Sequence, residues 1–223
     1  MSYPPAPWHL YGNALQSFHL IDLETAKIVV PPDLEIVFIL PGKTLGGLYL
    51  SVYDENSTLS YHELIVVSAL VRYQGIIGSW ISHIYVDHPD SVQGGRNIWG
   101  LPKEMADFNW NDRHIEVSQG NLCLCRAQYS QVGLPLSFWY KYNISGNVFS
   151  GLSQDVLKFQ GNFETRLKWV PCQFSIPSES PFSSLNLAHP LVTVQMQELH
   201  LTAKAPSIVG QWSSKVSTKT NSL

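Results

Sequence analysis

Two long runs rich in β-branched residues, HELIVVSALVRY (62–73) and IIGSWISHIYVD (76–87), stand on either side of Gly75. A helix accommodates such runs poorly, because branched side chains lose rotamer freedom against the preceding turn. A pleated strand packs them on alternate faces instead. The glycine between them suits the positive φ of a tight hairpin. The same alternation recurs at SFHLI (17–21), LGGLYLSVYD (45–54), EMADFNW (104–110), HIEVSQ (114–119) and NLCLCRAQYS (121–130). It returns at PLSFWYKYNI (135–144), ETRLKWVPCQFSI (164–176) and VTVQMQELHLTAK (192–204), with Gly133 and Asn111-Asp112 as further turn signals. Only two stretches read as helix. In DLETAKIVV (22–30) Asp22 is a candidate N-cap and Pro31-Pro32 the stop; PDSVQGGRNIW (89–99) ends at Gly100 and Pro102. Ten strands and two short helices predict a mostly antiparallel α+β protein. No period of roughly 20 to 50 residues recurs, so a repeat array is excluded. Residues 1–210 read as a single domain, 177–190 as a long surface loop, and 211–223 as a loose Ser/Thr/Lys-rich tail.

Composition narrows the classes of partner. The 223 residues are 44% hydrophobic and 12% aromatic, which supports a core with apolar pockets. Only 14% are charged, well below the usual share of about a quarter, as expected where part of the surface is hidden in a homo-oligomer or where long uncharged loops are present. A formal net charge of −3 with no basic run excludes nucleic acid as a natural partner. No apolar stretch approaches the roughly 18 to 20 residues of a membrane span, and the N-terminus lacks the cationic and apolar regions of a signal peptide. Three cysteines, Cys123, Cys125 and Cys172, fit no disulfide framework, which points to reduced thiols and a cytoplasmic location. In a regular strand Cys123 and Cys125 share a face, as two small buried hydrophobes or as a metal or redox pair.

The chemistry-bearing motifs are few. No Gly-rich phosphate loop, nucleophile elbow or HExxH pattern is present, and the eight histidines are scattered. No metal and no cofactor are therefore expected. What stands out is GGRNIWGLPKEMADF (94–108), where Lys103 sits behind a proline in apolar company. Pro102 forces Leu101 to be extended, so Lys103 starts a strand with Met105 on its face. Two readings are open. The ammonium head reaches solvent, or it points inward against Trp99 and Met105, where desolvation favours a neutral amine able to attack a carbonyl. Glu63, in SYHELIVVS, alternates with Ile65 and Val67; it is either a rim carboxylate or a proton handler.

The segment order resembles the acetoacetate decarboxylase superfamily. The matching features are VVPPDLEI (29–36), LYLSVYDE, YHELIV, HIYVDHPD and, most specifically, GRNIWGLPKEMA. The pattern TLGGLYLSVYDE with HELIVV and GLPKEMADF is similar to a branch with cyanobacterial members and the plant neoxanthin-deficient protein. The resemblance implies a closed, cone-like β-barrel that forms oligomers. It also implies that Lys103 is the Schiff-base nucleophile and Glu63 an acid of the site. Three positions depart from the decarboxylase pattern. Glu104 stands in place of a second lysine, Gly12 or Asn13 in place of an N-terminal arginine, and Leu48 or Tyr49 in place of a second glutamate.

These readings converge on a pocket lined by Leu48, Tyr49, Arg96, Trp99 and Met105 around Lys103 and Glu63. A Schiff-base-forming lyase acting on an apolar keto or carbonyl compound, not on acetoacetate, is the expected function. The alternative is a non-catalytic carotenoid- or lipid-binding accessory of xanthophyll biosynthesis that uses the same pocket.

Overall fold

The computed structural model describes residues 3–130, 132–136 and 140–213. Numbered in chain order, its seven long strands are β1 (Trp8–Asp22), β2 (Lys43–Tyr53), β3 (Tyr61–Tyr73), β4 (Ile76–Val86), β5 (Tyr142–Leu152), β6 (Asp155–Trp169) and β7 (Val192–Ala203). They pair in the order β3-β2-β1-β7-β6-β5-β4, and the β3–β4 hairpin closes the ring. The result is a mixed seven-stranded barrel. Every seam is antiparallel except β4–β5, which is parallel and holds only the pairs Val148↔Ser79 and Phe149↔Trp80. Gln74 and Gly75, with φ of 49° and 80°, form the hairpin turn between β3 and β4.

Two helices match the sequence reading. The first, α1, spans Leu23–Val29; Asp22 is its N-cap residue but pairs with Lys43 at 2.7 Å. The second, α2, spans Pro89–Trp99. His88 Nδ1 accepts from the Asp90 N–H at its start, and Gly100, at φ 62°, ends it. This helix is the crossover from β4 to the short strand Lys103–Met105, which pairs in parallel with Ile84–Val86. Thus β5 and the lysine strand share one edge of β4, each covering part of it.

A second sheet, made of Asp107–Trp110, His114–Gln119, Leu122–Tyr129 and Cys172–Ser175, packs on the outside of the barrel. Leu48, Leu50, Leu64 and Val66 point outward into one core with Ile115, Val117 and Leu124 of that sheet. Strand β3 is therefore buried on both faces, which explains why apolar residues stand on both sides of its pleat at Leu64–Val67.

Several expectations need correction. Strand β1 begins at Trp8, well before Ser17, since the polar residues of WHLYGNALQ alternate with buried Trp8, Leu10 and Ala14. The β5–β6 hairpin was not foreseen: it turns at Ser153, φ 56°, without an Asn-Gly or Asp-Gly signal. EMADFNW divides at Ala106, whose N–H donates to the Val86 carbonyl. The expected strand 135–144 crosses residues 137–139, which lie outside the described residues. The loop 177–190 is not confined to the surface; it seats Phe182 at 0% exposure against His83 and Tyr85. Ser207–Gln211 is a strand on β6 and Trp212 packs edge-on against Trp80; residues 214–223 lie outside the described residues. Cys123 and Cys125 do not share a face. A register shift sets Cys123 opposite Ser118 and Cys125 opposite Val117. Burial pushes both thiols up. No helix among the described residues is long and apolar enough to cross a membrane.

Where the barrel meets the second sheet, His19 is buried beside Phe174, with Nε2 2.8 Å from Ser17 Oγ. Burial lowers its pKa from 6.5 to about 4, against the opposing effect of a hydrogen bond with the His189 backbone. The folded state resists a proton that the unfolded chain accepts, so this contribution to stability is complete above pH 6.5 and is lost as pH falls towards 4. His19→Gln should flatten this part of the pH dependence, read as the urea midpoint at stepped pH; an unchanged slope would refute it.

Candidate active site

Inward-facing side chains of all seven barrel strands enclose a cavity of about 470 Å³. On β3, successive alternate positions Tyr61, Glu63, Ile65 and Val67 all face it. Lys103 enters from the edge of β4 opposite Ile84. Its Nζ lies 2.7 Å from Glu63 Oε1, and each side chain is only 5% exposed. These two are the only ionisable acid–base pair on the wall, and the rest of the described lining carries no other Lys, Arg, His, Asp or Glu.

The ammonium position is defined on every side. Nζ donates to Ser91 Oγ at 2.9 Å and lies 3.5 Å from the Tyr61 hydroxyl. It also stands 5.0 Å from the Tyr61 ring centre and 5.7 Å from that of Trp8. Arg96 Nε donates to the Lys103 carbonyl at 2.7 Å and so holds the lysine backbone from outside. The glycine pair in GGRNIW has a packing reason. A Cβ on Gly95 would come 2.4 Å from Lys103 Cδ, and one on Gly94 would come 2.5 Å from the Trp8 ring. Helix α2 can lie flush against the lysine stem only because both side chains are absent.

Glu63 is held in turn. The Tyr53 hydroxyl donates to Glu63 Oε2 at 3.2 Å, and the Tyr49 hydroxyl lies 3.2 Å from that of Tyr53. Burial pushes the pKa values of Tyr49, Tyr53 and Tyr61 up, with the Glu63 charge adding to the effect. All three phenols remain protonated at neutral pH. With the Tyr53 proton committed to Glu63, Tyr49 is the donor in the Tyr49–Tyr53 contact.

Of the pocket residues expected from sequence, Tyr49 and Trp99 line the cavity beside Lys103 and Glu63. Leu48 does not: it is the neighbour of Tyr49 in a strand, so it faces the outer core. Met105 does not either. It pairs with Val86, past the closed end of the cavity, and is 44% exposed. Arg96 is exposed on α2 and acts on the backbone of Lys103, not on the cavity. Glu104 points outward and accepts from Gln119 Nε2 at 3.1 Å. Sequence reasoning missed Ser91, Tyr53, Tyr61 and Trp8. Ser91, Gly95 and Trp99 recur every four residues, one face of a helix, and Tyr61 shares the alternation of Glu63; those spacings would have found two of the four. Among the described residues no group of three or more His, Cys, Asp or Glu is placed to hold a metal.

Removing one member of a buried ion pair strands the other charge, at a cost of about 3 to 5 kcal/mol, whereas an apolar replacement of both is often neutral. Glu63→Leu should therefore lower stability to urea by about that amount, and Glu63→Leu with Lys103→Met should recover most of it. Additive losses would show that the pair is not coupled.

Comparison with known proteins agrees with this geometry. A family model described as acetoacetate decarboxylase matches residues 1–136. Protein NEOXANTHIN-DEFICIENT 1 of Oryza sativa subsp. japonica is 26% identical over 78% of this chain and 73% of its own length. Acetoacetate decarboxylase 3 of Mesorhizobium japonicum is 28% identical, but the match spans only 48% of this chain and 40% of that protein. The crystal structure of acetoacetate decarboxylase from Legionella pneumophila superposes with a TM-score of 0.78 at 17% identity, over 96% of this chain and 91% of that one. With the matched segment carrying both the buried lysine and its glutamate, the chain belongs to the acetoacetate decarboxylase family.

Proposed function

We propose that this protein is an imine-forming lyase acting on an uncharged, apolar keto or aldehyde compound, with Lys103 as nucleophile and Glu63 as proton carrier. The observation that supports it most is the 2.7 Å contact between Lys103 Nζ and Glu63 Oε1 inside an otherwise apolar cavity. Glu63 Oε1 takes a proton from the amine, and the free amine adds to the carbonyl carbon. Glu63 then returns the proton to the hydroxyl, which leaves as water, and a protonated imine remains. That imine draws electrons from the bond next to the former carbonyl, so a C–C or C–H bond there can break. Tyr53 keeps the carboxylate oriented, and the Trp8 and Tyr61 rings keep water away from the amine. A carboxylate-bearing substrate has no second cation on the described cavity wall to meet it, which favours an uncharged one.

Nonan-2-one with sodium borohydride should leave a reduced adduct on Lys103, located by peptide mass, with none on Lys103→Ala. Glu63→Gln should slow adduct formation by about 100-fold. Gly95→Ala should slow it too, since the added methyl pushes the lysine stem aside. A Lys103 left unmodified by a broad panel of ketones and aldehydes would sink the proposal.

A second reading rests on the similarity to plant proteins named for neoxanthin deficiency. On this reading the same cavity holds a carotenoid-like ligand without reacting with it. Lys103→Ala then leaves ligand binding and activity in place, while filling the cavity with Val67→Trp abolishes both. An enzyme loses activity in both variants.

A further inference from the structure

The two ends of the cavity differ in polarity. Lys103 and Glu63 occupy one end. Around the middle, Ile65, Ile81, Phe163 and Met196 present only hydrocarbon, aromatic carbon and a thioether. At the other end the wall turns polar again without turning ionic, through Gln16 and Ser79.

The amide at that end has a fixed orientation. Gln16 Nε2 donates to the carbonyls of Ser17 at 2.7 Å and Leu48 at 3.3 Å. Its nitrogen is held by the main chain and its oxygen is left as an acceptor. A ligand group that satisfies this oxygen must donate a hydrogen bond, and without a basic or acidic residue nearby it need carry no charge.

This end is also where the barrel is least closed. Strand β5 pairs with β6 along its whole length but meets β4 at only two positions. Residues Ile144–Asn147 therefore border the cavity on a stretch with no partner strand on that side among the described residues, and Ile144 is 44% exposed. Such a slot admits a long molecule end first. Its length follows from β1, where Trp8 near the amine and Gln16 are eight residues apart (16 − 8). At a rise of about 3.3 Å and a tilt of about 40°, the ends lie roughly 20 Å apart.

We infer that the ligand of this cavity is a long, linear, apolar carbonyl compound with a hydroxyl group at its far end, entering through the β4–β5 slot. The carbonyl meets Lys103, and the hydroxyl donates to Gln16 Oε1. The inference rests on the proposed role of the cavity as the substrate site, but not on imine formation.

Binding is measured by quenching of Trp8 and Trp99 fluorescence with three methyl ketones of about sixteen carbons, matched to the span of the cavity. They end in a methyl, a primary alcohol or a carboxylate. The alcohol should bind about fivefold more tightly than the methyl compound, the worth of one neutral hydrogen bond, and the carboxylate most weakly. Gln16→Leu should abolish the preference for the alcohol while leaving the methyl compound bound. Equal binding of alcohol and methyl compounds overturns the inference. So does a preference that survives Gln16→Leu, or no binding by any of the three. The series is repeated on Lys103→Met, which cannot form an imine. An alcohol preference there, with no borohydride adduct on the native protein, would uphold this ligand and reject the imine-forming reading.

Discussion

An ammonium and a carboxylate 2.7 Å apart, both sealed from water, are an expensive thing for a barrel to hold. Desolvation of the two charges offsets most of their attraction, so the pair is poor evidence of stability and good evidence of a constraint. Much of the surrounding architecture is needed to keep it. Ser91 and the Tyr61 and Trp8 rings complete the shell of the amine, and Tyr53 and Tyr49 complete that of the carboxylate. The Gly94-Gly95 pair lets α2 approach closely enough for Ser91 to take part. Arg96, from the solvent side, anchors the short strand on which the lysine rides.

The departures from the decarboxylase pattern acquire different weights once they have places. Glu104, adjacent to Lys103, faces away from the cavity and bonds Gln119, so its charge is not part of the wall. Tyr49, where a second glutamate was expected, supplies a neutral donor in a relay towards Glu63. The missing arginine has the larger effect, since no described lining residue other than Lys103 is cationic.

Legibility from sequence followed physical lines. Strands whose faces differ, or whose residues are β-branched, were readable, and so was α2, which carries a cap, an internal period and a glycine stop. The β5–β6 hairpin was not, because Ser153-Gln154 carries none of the usual turn chemistry and NVFSGL is rich in small residues. Lys103 and Glu63 were readable as candidates through a motif and an alternation, but their meeting was not, since forty residues and a helix separate them in the chain. Leu48 and Met105 were misplaced for a related reason. Alternation gives the side of a strand, but not which side encloses the cavity or where the cavity ends.

Both β5 and the lysine strand lie along the same edge of β4, each pairing with only part of it. The opposite edge, by contrast, is zipped to β3 along nearly its full length. Thermal breathing of the wall is therefore concentrated on the side that carries Lys103. The Lys103 strand and the slot beside it form one compliant region mounted on a stiff half-barrel, so a molecule that widens the slot also pulls on the strand that aims the lysine.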